Sequence, residues 1–162
     1  MIFGMTTFTF VHVVISLVAM VAGAVVVYGL LTSKRLDGWT MLYLVTIVAT
    51  SVTGFGFSAD RVLPSHVVAA ISLVLLAAAI AARYVYHLAG AWRWIYVGGL
   101  VTALYLDVFV GIVQAFMKIP ALNAIAPTQS EPPFAIVQLA TLVAFVVLGI
   151  FAVIAARREA SA

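Results

Sequence analysis

The chain has 162 residues, two-thirds of them hydrophobic and only 8% charged, with a mean hydropathy of +1.26. That balance excludes an ordinary soluble domain and points to a membrane protein. It carries no cysteine, which rules out disulfides, thiolate metal sites and thiol catalysis, and its net charge of +3 comes from scattered basic residues and not from a nucleic-acid-binding patch.

In chain order, apolar runs long enough to cross a bilayer, which takes roughly 20 residues, predict an all-α bundle of five transmembrane helices in a single domain. The first spans about residues 6–31 and ends at Thr32-Ser33-Lys34-Arg35; the second spans about 39–57 and breaks at Gly54-Phe55-Gly56. Pro64-Ser65 suits a helix entrance, so the third is expected over 65–86. The fourth runs from Trp92 to Lys118, and the fifth over about 134–156 after an outer loop at 119–133.

The basic residues orient these spans. Lys34, Arg35, Arg83, Arg93, Arg157 and Arg158 fall on one side, and only Arg61 and Lys118 on the other. By the positive-inside rule the N-terminus is outside and the C-terminus cytoplasmic. Trp39, Trp92, Trp94, Tyr28, Tyr84 and Tyr86 then form an aromatic belt at the inner edge. The first segment does not read as a cleavable signal, because its charges follow the apolar run and the run is too long.

The fourth span carries the main clue, Asp107 in the middle of an apolar helix. A carboxylate there costs on the order of 3 kcal/mol even on the lenient insertion scale, so it is expected to face protein. Tyr96, Gly99, Ala103, Asp107, Gly111, Gln114 and Lys118 recur at three- and four-residue steps and form one small, polar stripe. Comparable stripes are His12, Ser16, Ala19 and Gly23 in the first span; Tyr43, Thr46, Thr50 and Thr53 in the second; His66, Ala70, Leu73, Ala77, Ile80 and Tyr84 in the third; Gln138, Thr141 and Gly149 in the fifth. Small residues on such faces let helices approach closely.

Counting rise per residue, Asp107 lies roughly 16 Å below the outer end of its helix, and His12, Gln114 and Gln138 lie ~6–9 Å in. These residues and Ser16 define a candidate polar core opening outward, to hold a small ligand. Each also has a plain structural reading: Asp107 as a hydrogen-bond partner for a neighbouring helix, Gln114 and Gln138 as interhelical glue. His12 and His66 share the outer side on different helices, which is the requirement for haem b ligation and gives an electron-transfer alternative. His87 sits apart on the inner rim. In the outer loop, Ser130 is expected to cap the last helix and Glu131 to complement its dipole, with a lid over the outer mouth as a further role.

His12-x-x-x-Ser16 with Gly23, then Lys34-Arg35-Leu36-Asp37-Gly38-Trp39, then His66 opening a helix, resembles small bacterial membrane proteins of unknown function with four or five helices. The resemblance implies a bacterial inner-membrane location and no activity; Asp37 stands where a further histidine would be expected. No nucleophile elbow, His-Glu-x-x-His or phosphate-cradling glycine loop is present. The functional expectation is a non-catalytic accessory or assembly subunit, or a small-ligand-binding bundle. A proton or ion pathway through Asp107 comes after the haem alternative. The expected partners are the lipid bilayer and other membrane chains, including copies of itself, and not nucleic acid.

Overall fold

Thr6 accepts a hydrogen bond on its hydroxyl from the Thr9 N–H, the N-cap that starts the first helix. The computed structural model describes residues 6–57 and 64–161, with side chains as far as 158. Among these residues every regular element is a helix: α1 Thr7–Leu31, α2 Asp37–Gly54, α3 Pro64–Tyr84, α4 Trp92–Lys118, the short α5 Pro120–Ile125 and α6 Pro132–Ser161. Arg61 lies outside the described residues.

Four helices, α1, α3, α4 and α6, are long and apolar enough to cross a membrane. At 27 residues α4 is about 40 Å long, against a hydrocarbon core of roughly 30 Å. The second helix does not join that set. Its 18 residues include Asp37, four threonines and Ser51, so it is shorter and more polar than its neighbours. It begins two residues earlier than expected and ends at Gly54, where the Phe55 and Gly56 N–H groups turn back to the Val52 and Thr53 carbonyls. The third helix closes at Tyr84, and His87, Leu88 and Gly90 adopt positive φ values in the tight turn to α4.

The polarity of the packing is that of a membrane bundle. Alanine, glycine and a few large side chains fill the interior: Ala19, Ala22, Ala79, Ala103 and Ala152 are fully buried. Large aliphatics face outward, with Val74 71% and Ile136 65% exposed. Lipid tails are as apolar as leucine, so close contact between small residues replaces the hydrophobic drive to bury bulk. In water, so continuous an apolar surface would drive association.

Helix α4 is central and packs against α1, α2, α3, α5 and α6. Tyr43 of α2 is fully buried and its hydroxyl donates to the Leu100 carbonyl of α4 at 2.9 Å. Gly23 of α1 makes room there: a Cβ at that position would lie 2.7 Å from Leu104 Cδ1 and 2.9 Å from the Tyr43 ring. Gly99 does the same for α3, with Ala79 Cβ and the Leu75 carbonyl oxygen each 3.1 Å from the place its Cβ would take.

That contact also sets the face of α3. The buried residues are Ala69, Ser72, Leu76, Ala79 and Ala82, whereas Ala70 and Ala77, expected inward, are exposed. Alanine occurs on every side of α3, so its sequence does not mark one face over the next.

Candidate functional site

The helices alternate in direction, and their polar side chains gather at two levels. The first is a layer inside the bundle. Asp107 of α4 is buried, and Ser16 of α1 donates to its Oδ1 at 2.9 Å. The other carboxyl oxygen, Oδ2, is buried with no hydrogen-bond partner among the described residues. Helices α2 and α4 both start at the same end of the bundle. Thr50 and Asp107 each lie seven residues, about 10.5 Å of rise, beyond the Tyr43–Leu100 hydrogen bond, and so share a depth.

The Thr50 hydroxyl departs from its neighbours. Thr46, Ser51 and Thr53 donate to carbonyls four residues back, at 2.7, 2.9 and 2.7 Å, while the buried Thr50 Oγ1 has no such bond. Gln138 of α6 is buried and donates through Nε2 to the Phe109 carbonyl at 3.2 Å, leaving Oε1 without a partner among the described residues. Gln114, expected in this core, is exposed on α4. The polar stripe of α4 is buried only as far as Asp107: beyond it Gly111 is half-buried and Gln114 and Lys118 are exposed, and the residue that α4 buries in its last turns is Phe116, packed on Phe134 of α6.

The histidines lie near the far end of α2. His12 Nδ1 is 2.7 Å from Thr53 Oγ1, and its ring stands edge-on to Phe57 at 4.9 Å. His66 is stacked on Phe55 at 5.7 Å. A haem between two imidazoles needs a flat slot open at both ligating nitrogens. Here phenylalanines flank both rings, and neither histidine lines the two cavities described below.

In the loop between α5 and α6, Ser130 does not cap α6. Its hydroxyl pairs with that of Thr128, and Glu131 folds back instead, accepting from the Thr128 hydroxyl at 2.8 Å and from the Thr128 and Ser130 N–H groups at 3.1 Å each. Pro132 and Pro133 explain the arrangement, because they hold the first turn of α6 without needing N–H partners. Asn123 donates to the Phe116 carbonyl and so fastens α5 against the end of α4.

The second polar level is at the opposite end of the bundle, where the sequence suggested only a solvated rim. A cavity of about 410 Å³ is lined there by Lys34, Arg35, Arg83 and Arg93, with His87, Tyr96 and Thr40, and a single carboxylate, Asp37. Arg83 organises it. Its guanidinium pairs with Asp37 and donates to the Tyr96 hydroxyl at 2.9 Å, lying over the Tyr84 and Tyr96 rings at 5.7 and 5.6 Å. Arg93 donates to the Ala156 carbonyl of α6 at 3.3 Å. With Asp37 already occupied by Arg83, the cavity presents an excess of cationic donors suited to a carboxylate or phosphate.

The signal for this site lay in the sequence as the cluster of basic residues, which the orientation argument had used as loop charge only. A third feature is an apolar groove of about 590 Å³ between α4 and α6, reaching Arg157 at the basic end. Neither cavity is lined by Ser16, Asp107, Gln114 or Gln138. Comparison with family models, curated proteins and solved structures gives no match to this chain.

Proposed function

We propose that this chain is a five-span protein of the inner membrane, with its N-terminus outside, and that it works as a non-catalytic bundle binding an anionic small ligand at its cytoplasmic end. The observation that carries the reading is the basic cavity, in which four permanent cations surround a space of about 410 Å³ with one carboxylate among them. That volume lies within the range of about 300–1,000 Å³ common to small-ligand sites. The positive-inside rule supports the orientation. The case for α2 as a fifth span is its position between α1 and α3, with Tyr43 and Ile47 turned into the core.

Thermal unfolding in an uncharged detergent tests the reading, with glycerol 3-phosphate as the probe and sodium chloride of equal ionic strength as the control. The phosphate is expected to raise the midpoint in the native protein, with the effect reduced in Arg35→Gln and in Arg93→Gln. Equal responses to phosphate and chloride would overturn it. A second reading, a proton or cation site at Asp107, draws on the buried Oδ2 that Ser16 leaves unsatisfied.

A further inference from the structure

We infer that the anionic ligand is a phospholipid, its phosphate at the basic end and one acyl chain laid in the groove between α4 and α6. This inference rests on the anion-binding reading of the basic cavity and adds the apolar half of the ligand.

The groove and the cavity adjoin. Arg93 and Ala156 line the cavity and are joined by a hydrogen bond, while the next residue, Arg157, lines the groove and sits over the Trp94 ring at 5.1 Å. A molecule crossing from one to the other passes the Arg93–Arg157 pair. Basic pockets between transmembrane helices on the cytoplasmic side are the recurrent seat of anionic headgroups, and guanidinium groups suit phosphate geometry.

The dimensions also suit a lipid of one leaflet. On α6 the groove is lined from Leu142 to Arg157, a run of sixteen residues and about 22 Å of helix. Half of a hydrocarbon core of roughly 30 Å is about 15 Å, so a chain anchored at Arg157 can lie within the groove along its full depth. The walls are apolar, among them Val101, Tyr105, Phe145 and Val153, and glycines at 98 and 149 open the floor. A Cβ at Gly98 would meet nothing within 4 Å. The space in front of it belongs to the groove and not to a neighbouring helix, and a larger residue there fills the groove without disturbing the core.

The test compares short-chain phosphatidylglycerol, the matching phosphatidylcholine and glycerol 3-phosphate as stabilisers of the purified protein. Phosphatidylglycerol should stabilise more than either. Gly98→Leu should bring its effect down to that of glycerol 3-phosphate, and Arg93→Gln or Arg157→Gln should each weaken apparent affinity roughly fivefold, as expected for one interfacial charge. Arg157→Lys, which keeps the charge, should retain most of the binding and so separates charge loss from misfolding.

Equal stabilisation by the two lipids would overturn the headgroup assignment. A lipid advantage that survives Gly98→Leu, or a native protein that responds to glycerol 3-phosphate as strongly as to phosphatidylglycerol, would overturn the acyl-chain assignment and leave the anion cavity standing. No response to any of the three would sink both readings. A detergent-stable dimer broken by Gly98→Leu would seat a second copy in the groove and displace the lipid.

Discussion

Four glycines on α1 and α4 allow the helix packing to be tested with one chemical change, Gly→Ala. The added methyl gains about 0.5–1 kcal/mol of helix preference wherever it fits. At Gly98 it meets nothing within 4 Å, so that gain should appear almost undiminished. At Gly111 it would lie 2.7 Å from the Met20 terminal methyl, the far end of a flexible side chain that can swing aside, and the net effect should be close to zero. At Gly99 both close neighbours, Ala79 Cβ and the Leu75 carbonyl oxygen at 3.1 Å, move only with the backbone of α3. Overpacking of about 1 kcal/mol, the low end of the range, less the helix gain leaves a net loss of up to about 0.5 kcal/mol there.

Gly23 is the most demanding of the four. Leu104 Cδ1 at 2.7 Å and the Tyr43 ring at 2.9 Å would each have to retreat by several tenths of an ångström. Neither has space, since Leu104 is 3% and Tyr43 0% exposed, and the Tyr43 hydroxyl is held by the Leu100 carbonyl. Overpacking of about 1–3 kcal/mol less the helix gain leaves a net loss of about 1–2 kcal/mol. Reversible unfolding in mixed micelles across a denaturing-detergent series measures all four. The expected order of stability is Gly98, Gly111, Gly99, then Gly23. A Gly23→Ala protein as stable as Gly98→Ala would show that α1 does not meet α2 and α4 where this packing puts them.

Asp107→Asn should be tolerated, losing no more than about 1 kcal/mol, because the amide oxygen can still accept from Ser16. Asp107→Leu should cost more, since it leaves the Ser16 hydroxyl without its acceptor and crowds the α1–α4 contact; equal stability of the two variants in micelle unfolding would refute a structural role for the pair. In the five-span orientation, a cysteine at Asn123 should react with an impermeant reagent from outside and one at Ala160 should not; the reverse labelling would invert the bundle and with it the cytoplasmic cavity. Partial desolvation pushes the Glu131 carboxyl up, and hydrogen bonds from the Thr128 hydroxyl and the Thr128 and Ser130 N–H groups outweigh it, holding it below its ordinary value of 4.5. The order this carboxylate gives the loop is therefore present above pH 4.5 and lost as pH falls through the lowered value; Thr128 and Ser130 amide resonances should shift over that acid range, and a transition near neutrality would contradict the geometry.

The sequence by itself determined the helical class, the long apolar elements and the clustering of charge at one end. Hydrophobic length and the placement of lysine and arginine are properties of consecutive residues and need no knowledge of neighbours. It also singled out Asp107, because a lone carboxylate in an apolar run must find cover. What it could not decide was which face each helix turns to the others. In α3 the alanines run all round, so the expected Ala70–Ala77 face and the observed Ala69–Leu76–Ala79 face differ by one residue step and look alike in composition.

For the same reason Gln114 was grouped with Asp107: they share a stripe, but only the contacts between helices decide which face of α4 is covered in its last turns, and there it is the face of Phe116. The basic cavity shows the limit most clearly. Lys34, Arg35, Asp37, Arg83 and Arg93 come from three separate connections and helix ends, and their convergence on one space, with Arg83 bridging Asp37 and Tyr96, follows from the alternating packing of the helices around α4. Local pattern sets what each helix is, and only the contacts between helices set which distant residues meet.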